Sequence, residues 1–298
     1  MIRFAPFYET RPWGGRRFYE EFARHIPDGP IGEAWELSEL PDKHSEVVLG
    51  PHEGKALGEL WRAGLLGGSA KGPFPFLLKW LDTQDKLSVQ VHPDADAVAK
   101  MGKGEPKTEA WYIAQNELDS VLLVGHYPGL DAATLRQAAT GGTIHKWLYE
   151  LRPRMGEMLL VQAGTLHAVG AGFLLLEVQQ PSDTTYRVYD WGRLGTDGLP
   201  RELHLDEACQ AVNLDRPGAP RTQRSGVVGP CFSMKVVRMG LELPPGPLRV
   251  LVANSGPAKL AGAQGEELLE YGDVIVAETE DGLIRIESGT CVLVGEST

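Results

Sequence analysis

The apolar positions of this chain fall mostly into short runs of β-forming residues bounded by turn residues: SEVVLG, LSVQVH, SVLLVG, EMLLVQAG, GFLLLEVQQ, RVLVAN and DVIVAE. Many such runs at close spacing predict strands of a β-barrel or sandwich rather than a doubly wound sheet. The 36 glycines and 21 prolines supply the punctuation. Helical spacing occurs in GRRFYEEFARHI, ALGELWRAGLL, DADAVAKM, DAATLRQAA and TIHKWLYEL, with Asp131 placed to cap the fourth. These read as helices laid over the strands or inserted between them.

The stretch NLDRPGAPRTQRSGV, residues 213–227, is polar, rich in proline and arginine and poor in large apolar side chains. It reads as a linker. A catalytic-sized unit over residues 1–215, with helical insertions, would then be followed by a smaller β-rich unit over 216–298; from residue 228 onward there is no histidine.

With 298 residues, 42% of them hydrophobic, the chain can bury a sizeable core and form one large or two unequal domains. No run of eighteen apolar residues occurs, and MIRFAPFYETRPWGG lacks the uninterrupted apolar segment of a signal peptide, so cytoplasmic residence is expected. The formal charge of -11 argues against general binding to nucleic acid or an anionic membrane. An anionic substrate must instead meet a few placed cations. Cys209, Cys231 and Cys291 are odd in number and far apart, which supports neither a disulfide framework nor a thiolate metal site.

In LSVQVHPD, the period of two puts Gln90 and His92 on one strand face, roughly 7 Å apart. That spacing suits two ligands of one small ion, and equally a polar strand face with a hydrogen-bonded histidine. In GEMLLVQAGTLHAVGAG, residues 156–172, a glycine opens a strand and a turn at Ala163 and Gly164 returns His167. This resembles the second motif of the cupin barrels, G-x5-P-x-G-x2-H, with Gln162 where the motif has proline. Together with Glu109, the donors are two imidazoles, an amide and a carboxylate. The set suits zinc, and manganese, cobalt or iron would also fit. Its single negative charge leaves a divalent ion net positive and able to act as a Lewis acid. In LLLEVQQPSDTTYRVYDWGR, Glu177, Arg187 and Arg193 lie among apolar and aromatic residues, where an unpaired charge is costly; an ion pair between Glu177 and Arg187 is one explanation. Lys79 sits inside the apolar run PFLLKWLD, and Ser88 precedes Gln90 by two on the same face.

These residues carry a resemblance. The sequence resembles the type I phosphomannose isomerases in their shorter bacterial form, through RPWGG, GEAWELS, PFLLKWLD, LSVQVHPD, KTEAWYI, AGTLHAVGAG and QQPSDTTYRVYDWGR, in family order over about residues 11–193. The resemblance implies a mainly β fold: a cupin β-barrel (jelly-roll) with helical additions, then a degenerate cupin-like domain without metal. It implies one zinc ion per chain, held by Gln90, His92, Glu109 and His167. It further implies a catalytic Arg187, with Glu177 and Lys107 as the acid–base candidates. Phosphate would be bound by Ser88, Lys79 and Arg193, the last a change from lysine. The implied reaction interconverts mannose 6-phosphate and fructose 6-phosphate by moving a proton between C2 and C1 through an enediol. The alternatives are a non-catalytic sugar-phosphate-binding cupin and a metal-dependent isomerase of another phosphosugar. No protein partner is implied.

Overall fold

The structure, a computed structural model, describes residues 1–297. It is mainly β, with 38% of residues in strands against 13% in helices. A six-stranded antiparallel sheet runs in the order Phe7–Gly15, Ile31–Leu37, Leu77–Thr83, Phe173–Gln179, Glu109–Asn116, Met158–Val161. A five-stranded sheet follows the order Tyr186–Tyr189, Val89–Val91, His167–Val169, Leu122–His126, Leu148–Leu151. The two face each other across a core that includes Leu81, Trp111, Ile113, Phe173 and Leu175 from the larger sheet and Val124 and Val169 from the smaller.

Strand period decides which side chains enter that space. In the larger sheet Leu78, Trp80, Tyr112, Leu174, Leu176 and Val178 point to the opposite face, where they pack with Val250, Val252, Val276, Val292 and Val294 of the C-terminal part. Both faces are therefore covered, and Leu77–Thr83 and Phe173–Gln179 are buried at every residue. The remaining parity puts Lys79, Glu109 and Glu177 on the side turned toward the smaller sheet. In the smaller sheet Val89, Val91, Ala168 and Val188 pack outward against Leu135, Ala138, Ala208 and Ala211 of two helices, Ala132–Thr140 and Leu205–Ala211. Gln90, His167 and Arg187 consequently face inward.

The C-terminal part forms a five-stranded and a four-stranded antiparallel sheet with a core of its own around Leu251, Leu260, Ile275 and Ile286. The segment read as a linker does not hang free. Gly218 bridges to His126 and Gln223 to Met158, and the Gly218 carbonyl would lie 1.9 Å from a Cβ at Gly125.

Three helices meet the spacing that predicted them. Ala95–Met101 is capped by Asp94 and ends at Gly102 (φ 67°), Ala132–Thr140 is capped by Asp131, and Leu57–Arg62 covers the middle of its run. Two expectations change. GRRFYEEFARHI keeps a single turn, Arg17–Glu20, with Ala23 at φ 52° where the chain leaves it. In TIHKWLYEL a 3-10 turn, Ile144–Trp147, gives way to the strand Leu148–Leu151, because pairing with Leu122–His126 at the sheet edge outweighs helix propensity. The helix Leu205–Ala211 was not expected from its sequence. Among the described residues no helix is long and apolar enough to cross a membrane.

Candidate metal centre and cleft

Register brings the candidate residues into two facing rows. On the larger sheet Glu177 lies directly between Lys79 and Trp111, and the next residue on its face, Gln179, pairs with Glu109. On the smaller sheet Gln90 lies directly between His167 and Arg187. His92 follows immediately after Val89–Val91.

Between the rows, Glu109 reaches two imidazoles: its Oε2 lies 3.2 Å from His92 Nε2 and its Oε1 3.3 Å from His167 Nε2. The three ligand atoms all lie within 4.8 Å of one another, and the Gln90 amide nitrogen is 3.2 Å from His167 Nε2. The orientation of each ring is set from behind. His92 Nδ1 donates to the Thr184 carbonyl and His167 Nδ1 to the Thr165 carbonyl, each at 2.9 Å, so both Nε2 lone pairs point into the cluster.

These donors fit a metal ion. His92 Nε2 and both oxygens of Glu109 are buried without a well-formed hydrogen bond, and although Lys107 Nζ lies 3.2 Å from Oε2, nothing supplies a donor to the two Nε2 lone pairs and Oε1 together, a gap that a metal ion would fill. Burial, with the charge of Lys107 adding to it, pushes His92 down to about 3, so the ring is neutral and can ligate. Burial alone would raise Glu109, but the charge of Lys107 holds it well below the usual carboxylate range. Gln90 would turn its amide oxygen to the ion by exchanging places with its nitrogen, which would then face Ser88 Oγ, now 3.2 Å from the oxygen.

Beside the cluster opens a cleft of about 460 Å³, lined among others by Lys79, Ser88, Gln90, Lys107, Glu177 and Arg187. Glu177 does not pair with Arg187. Its Oε2 accepts from Trp111 Nε1 at 2.9 Å, and its Oε1 lies 3.9 Å from Lys79 Nζ. Burial and the charge of Glu109 raise its pKa, against the pull of Lys107 and Lys79. Lys79 stands 3.8 Å over the Trp35 ring and 4.0 Å from Glu33. Burial lowers it, with Glu33 opposing. Glu33 itself is carried down to about 2: burial works the other way, but Lys79 and Arg11 outweigh it. Lys107 Nζ lies 3.2 Å from Glu109 Oε2. Arg187 donates through one terminal nitrogen to the Glu202 carbonyl at 2.8 Å, and its buried Nε is unpartnered.

Among the predicted catalytic and phosphate-binding residues, Arg193 alone is off the cleft wall. It is held by Asp190 at 2.8 Å and Asp85 at 3.3 Å, whereas Arg201, forked onto the same Asp190 at 2.5 and 2.7 Å, does line the cleft. Arg11, bonded to Glu33 at 3.0 Å, lines it too. Sequence reasoning passed over Arg11, Glu33 and Arg201. For Arg11 a signal existed in RPWGG; Arg201, in a polar loop, offered none.

The family model for the catalytic domain of type I phosphomannose isomerase matches residues 1–121. The chain is 39% identical over 208 residues to a mannose-6-phosphate isomerase of Streptococcus mutans, covering 69% of this chain and 65% of that protein, so the match spans just under two thirds of the relative. A crystal structure of the mannose 6-phosphate isomerase of Bacillus subtilis superposes with a TM-score of 0.87 at 30% identity, covering 100% of this chain and 99% of that one. This chain belongs to the type I phosphomannose isomerases. The family interconverts mannose 6-phosphate and fructose 6-phosphate, and the fold is its cupin fold. A mannose 6-phosphate isomerase bound with zinc and yttrium shares that fold at a TM-score of 0.75 and 16% identity.

Proposed function

We propose that this chain interconverts mannose 6-phosphate and fructose 6-phosphate in the cleft between the two sheets, with one zinc ion held by Gln90, His92, Glu109 and His167. The observation that carries the reading is the buried cluster of His92, Glu109 and His167, whose ligand atoms all lie within 4.8 Å of one another beside a cleft lined by Glu177, Lys107 and Arg187. Bound there, the ion supplies Lewis acidity toward a substrate oxygen.

The chain's own groups divide the remaining work. Moving a proton between C2 and C1 needs a base. Glu177 suits that role: its raised pKa makes it a stronger base, and the Trp111 N–H fixes one oxygen and leaves the other toward the cleft. Lys107 remains the rival, with its ammonium against Glu109. The oxyanion that develops on O1 or O2 is met by Arg187. A unit charge about 4 Å away at an effective dielectric near 20 contributes on the order of 4 kcal/mol, or roughly three decades of rate if realised only in the transition state. Lys79 and Ser88 on the cleft wall are assigned to the phosphate. Arg193 contributes to that subsite through Asp190, which it shares with Arg201.

Two further assignments belong to the same reading. Residues 216–298 form a cupin-like unit that carries no histidine and holds no catalytic metal. The setting is cytoplasmic, consistent with three free cysteines and a phosphorylated substrate.

The test is interconversion of the two sugar phosphates by protein stripped with a chelator and then reloaded with zinc. Activity lost and regained supports the reading. Zinc binding without turnover would leave the metal centre standing and move the chain to phosphosugar binding or another phosphosugar.

A further inference from the structure

The turn Gln162–Thr165 touches the strand of every charged or imidazole donor. Gly164 N–H donates to the His92 carbonyl at 2.7 Å, Ala163 N–H to Thr108 Oγ1 beside Glu109 at 3.1 Å, and the Thr165 carbonyl accepts from His167 Nδ1 at 2.9 Å. Any looseness in this turn is passed directly to the ring of His167. At its first position this chain has Gln162 where the cupin motif has proline, so the constraint on φ that proline brings is missing.

Another residue grips the same turn. Arg216 donates through one terminal nitrogen to Gln162 Oε1 at 2.7 Å, and through the other to the Ala163 carbonyl at 2.7 Å and Thr165 Oγ1 at 3.2 Å. Alongside, Asn213 N–H donates to the Gly164 carbonyl at 2.9 Å. The guanidinium thus bonds three of the four turn residues, and among the described residues it makes no ion pair. Its planar fork is what the contacts use, rather than its charge alone. We propose that Arg216 is a positioning residue of the metal centre: from the segment between the two units it supplies the turn rigidity that proline supplies in the motif, and so holds His167 at its ligating angle. The inference rests on the metal reading above.

The experiment is zinc affinity of the full chain, measured by competition with a chromophoric chelator, in the wild type, R216A, R216K, Q162P and the double variant Q162P/R216A. An outer-shell partner of a ligand typically changes metal affinity by about 10- to 100-fold, and Arg216 acts one contact further out, so R216A is expected to bind about tenfold more weakly. R216K should not recover the loss, since an ammonium cannot fork. In the Q162P background the same arginine deletion should cost no more than about twofold, the non-additivity expected of two devices with one purpose. The visible spectrum of the cobalt-loaded protein should shift in R216A and return in the double variant. Unchanged affinity in R216A, or an equal loss in both backgrounds, overturns the inference. If Q162P does not fold, R216K decides: wild-type affinity there shows that charge alone suffices, and the fork role falls. A wild type that binds no zinc at all strikes the metal reading itself.

Discussion

Gln90 and His167 stand directly opposite each other on neighbouring antiparallel strands, with the amide nitrogen 3.2 Å from Nε2 of the ring. Arg187 is the next residue along the same row, on the other side of Gln90. One register therefore places two candidate ligands and the candidate catalytic cation, and a one-residue slip of Val89–Val91 would turn Gln90 out toward the helices.

A donor set this tightly shared should lose its ion when one member goes. His167→Ala leaves the Glu109 carboxylate and His92 without a third strong donor. Zinc retained after dialysis should fall from about one per chain to below about a tenth of that, at least the loss typical of an outer-shell change. Metal analysis of the dialysed protein checks this, and full retention would remove His167 from the ligand set.

How much of this was legible in the sequence depends on range. The parity of Gln90 with His92, the glycine-turn-histidine spacing ending at His167, and Lys79 and Glu177 as charges inside apolar runs are local signals, and each points where the structure places it. What escaped depends on the partner rather than on the residue. Leu148–Leu151 is a strand because Leu122–His126 offers it an edge, and Glu177 pairs with Lys79 and Trp111, not Arg187, because of a register set by three strands far apart in sequence. Leu205–Ala211 has only Leu205, Ala208, Cys209 and Ala211 to mark its buried side, a stripe of mostly small side chains that does not stand out.

Glu177→Gln preserves shape and the acceptor for Trp111 Nε1 while removing the base. Turnover is expected to fall by at least about two decades with zinc content intact. Steady-state kinetics with metal analysis on the same sample would show it, and near-normal turnover would pass the role to Lys107.

Arg201 and Arg193 share Asp190, but only Arg201 lines the cleft. Arg201→Ala is expected to raise KM for mannose 6-phosphate more than Arg193→Ala does, with kcat less affected, as for a group that binds ground and transition states alike. A larger KM effect at Arg193 would mean that the loop from Arg193 to Arg201 rearranges on binding.

Asp82 is a buried carboxylate that accepts from the Arg17 N–H at 2.8 Å; burial carries its pKa from 3.8 up to about 6, against the pull of Arg17. Its folded pKa lies above the unfolded value, so its contribution favours the fold below about pH 4 and is lost as pH rises through about 6. Asp82→Asn lacks that dependence. The stability of the variant relative to wild type should therefore rise between about pH 4.5 and pH 8, by at most about 2 kcal/mol. Urea midpoints at the two pH values measure it, and a constant difference would mean that Asp82 does not titrate there.

Trp111→Phe separates the base from its surroundings. The Nε1–H bond to Glu177 Oε2, 2.9 Å long and buried, stabilises the charged carboxylate, and phenylalanine keeps most of the apolar packing while removing the donor. The pKa of Glu177, already raised by burial and by Glu109, should then rise further. Because the base acts only when ionised, the acid limb of the kcat/KM profile should move to higher pH, by roughly half a unit to one unit, about the worth of one hydrogen bond. Turnover on the plateau should change far less than in Glu177→Gln. An acid limb that stays in place would show that the ionisation it reports is not that of Glu177, whatever Glu177→Gln does to the rate.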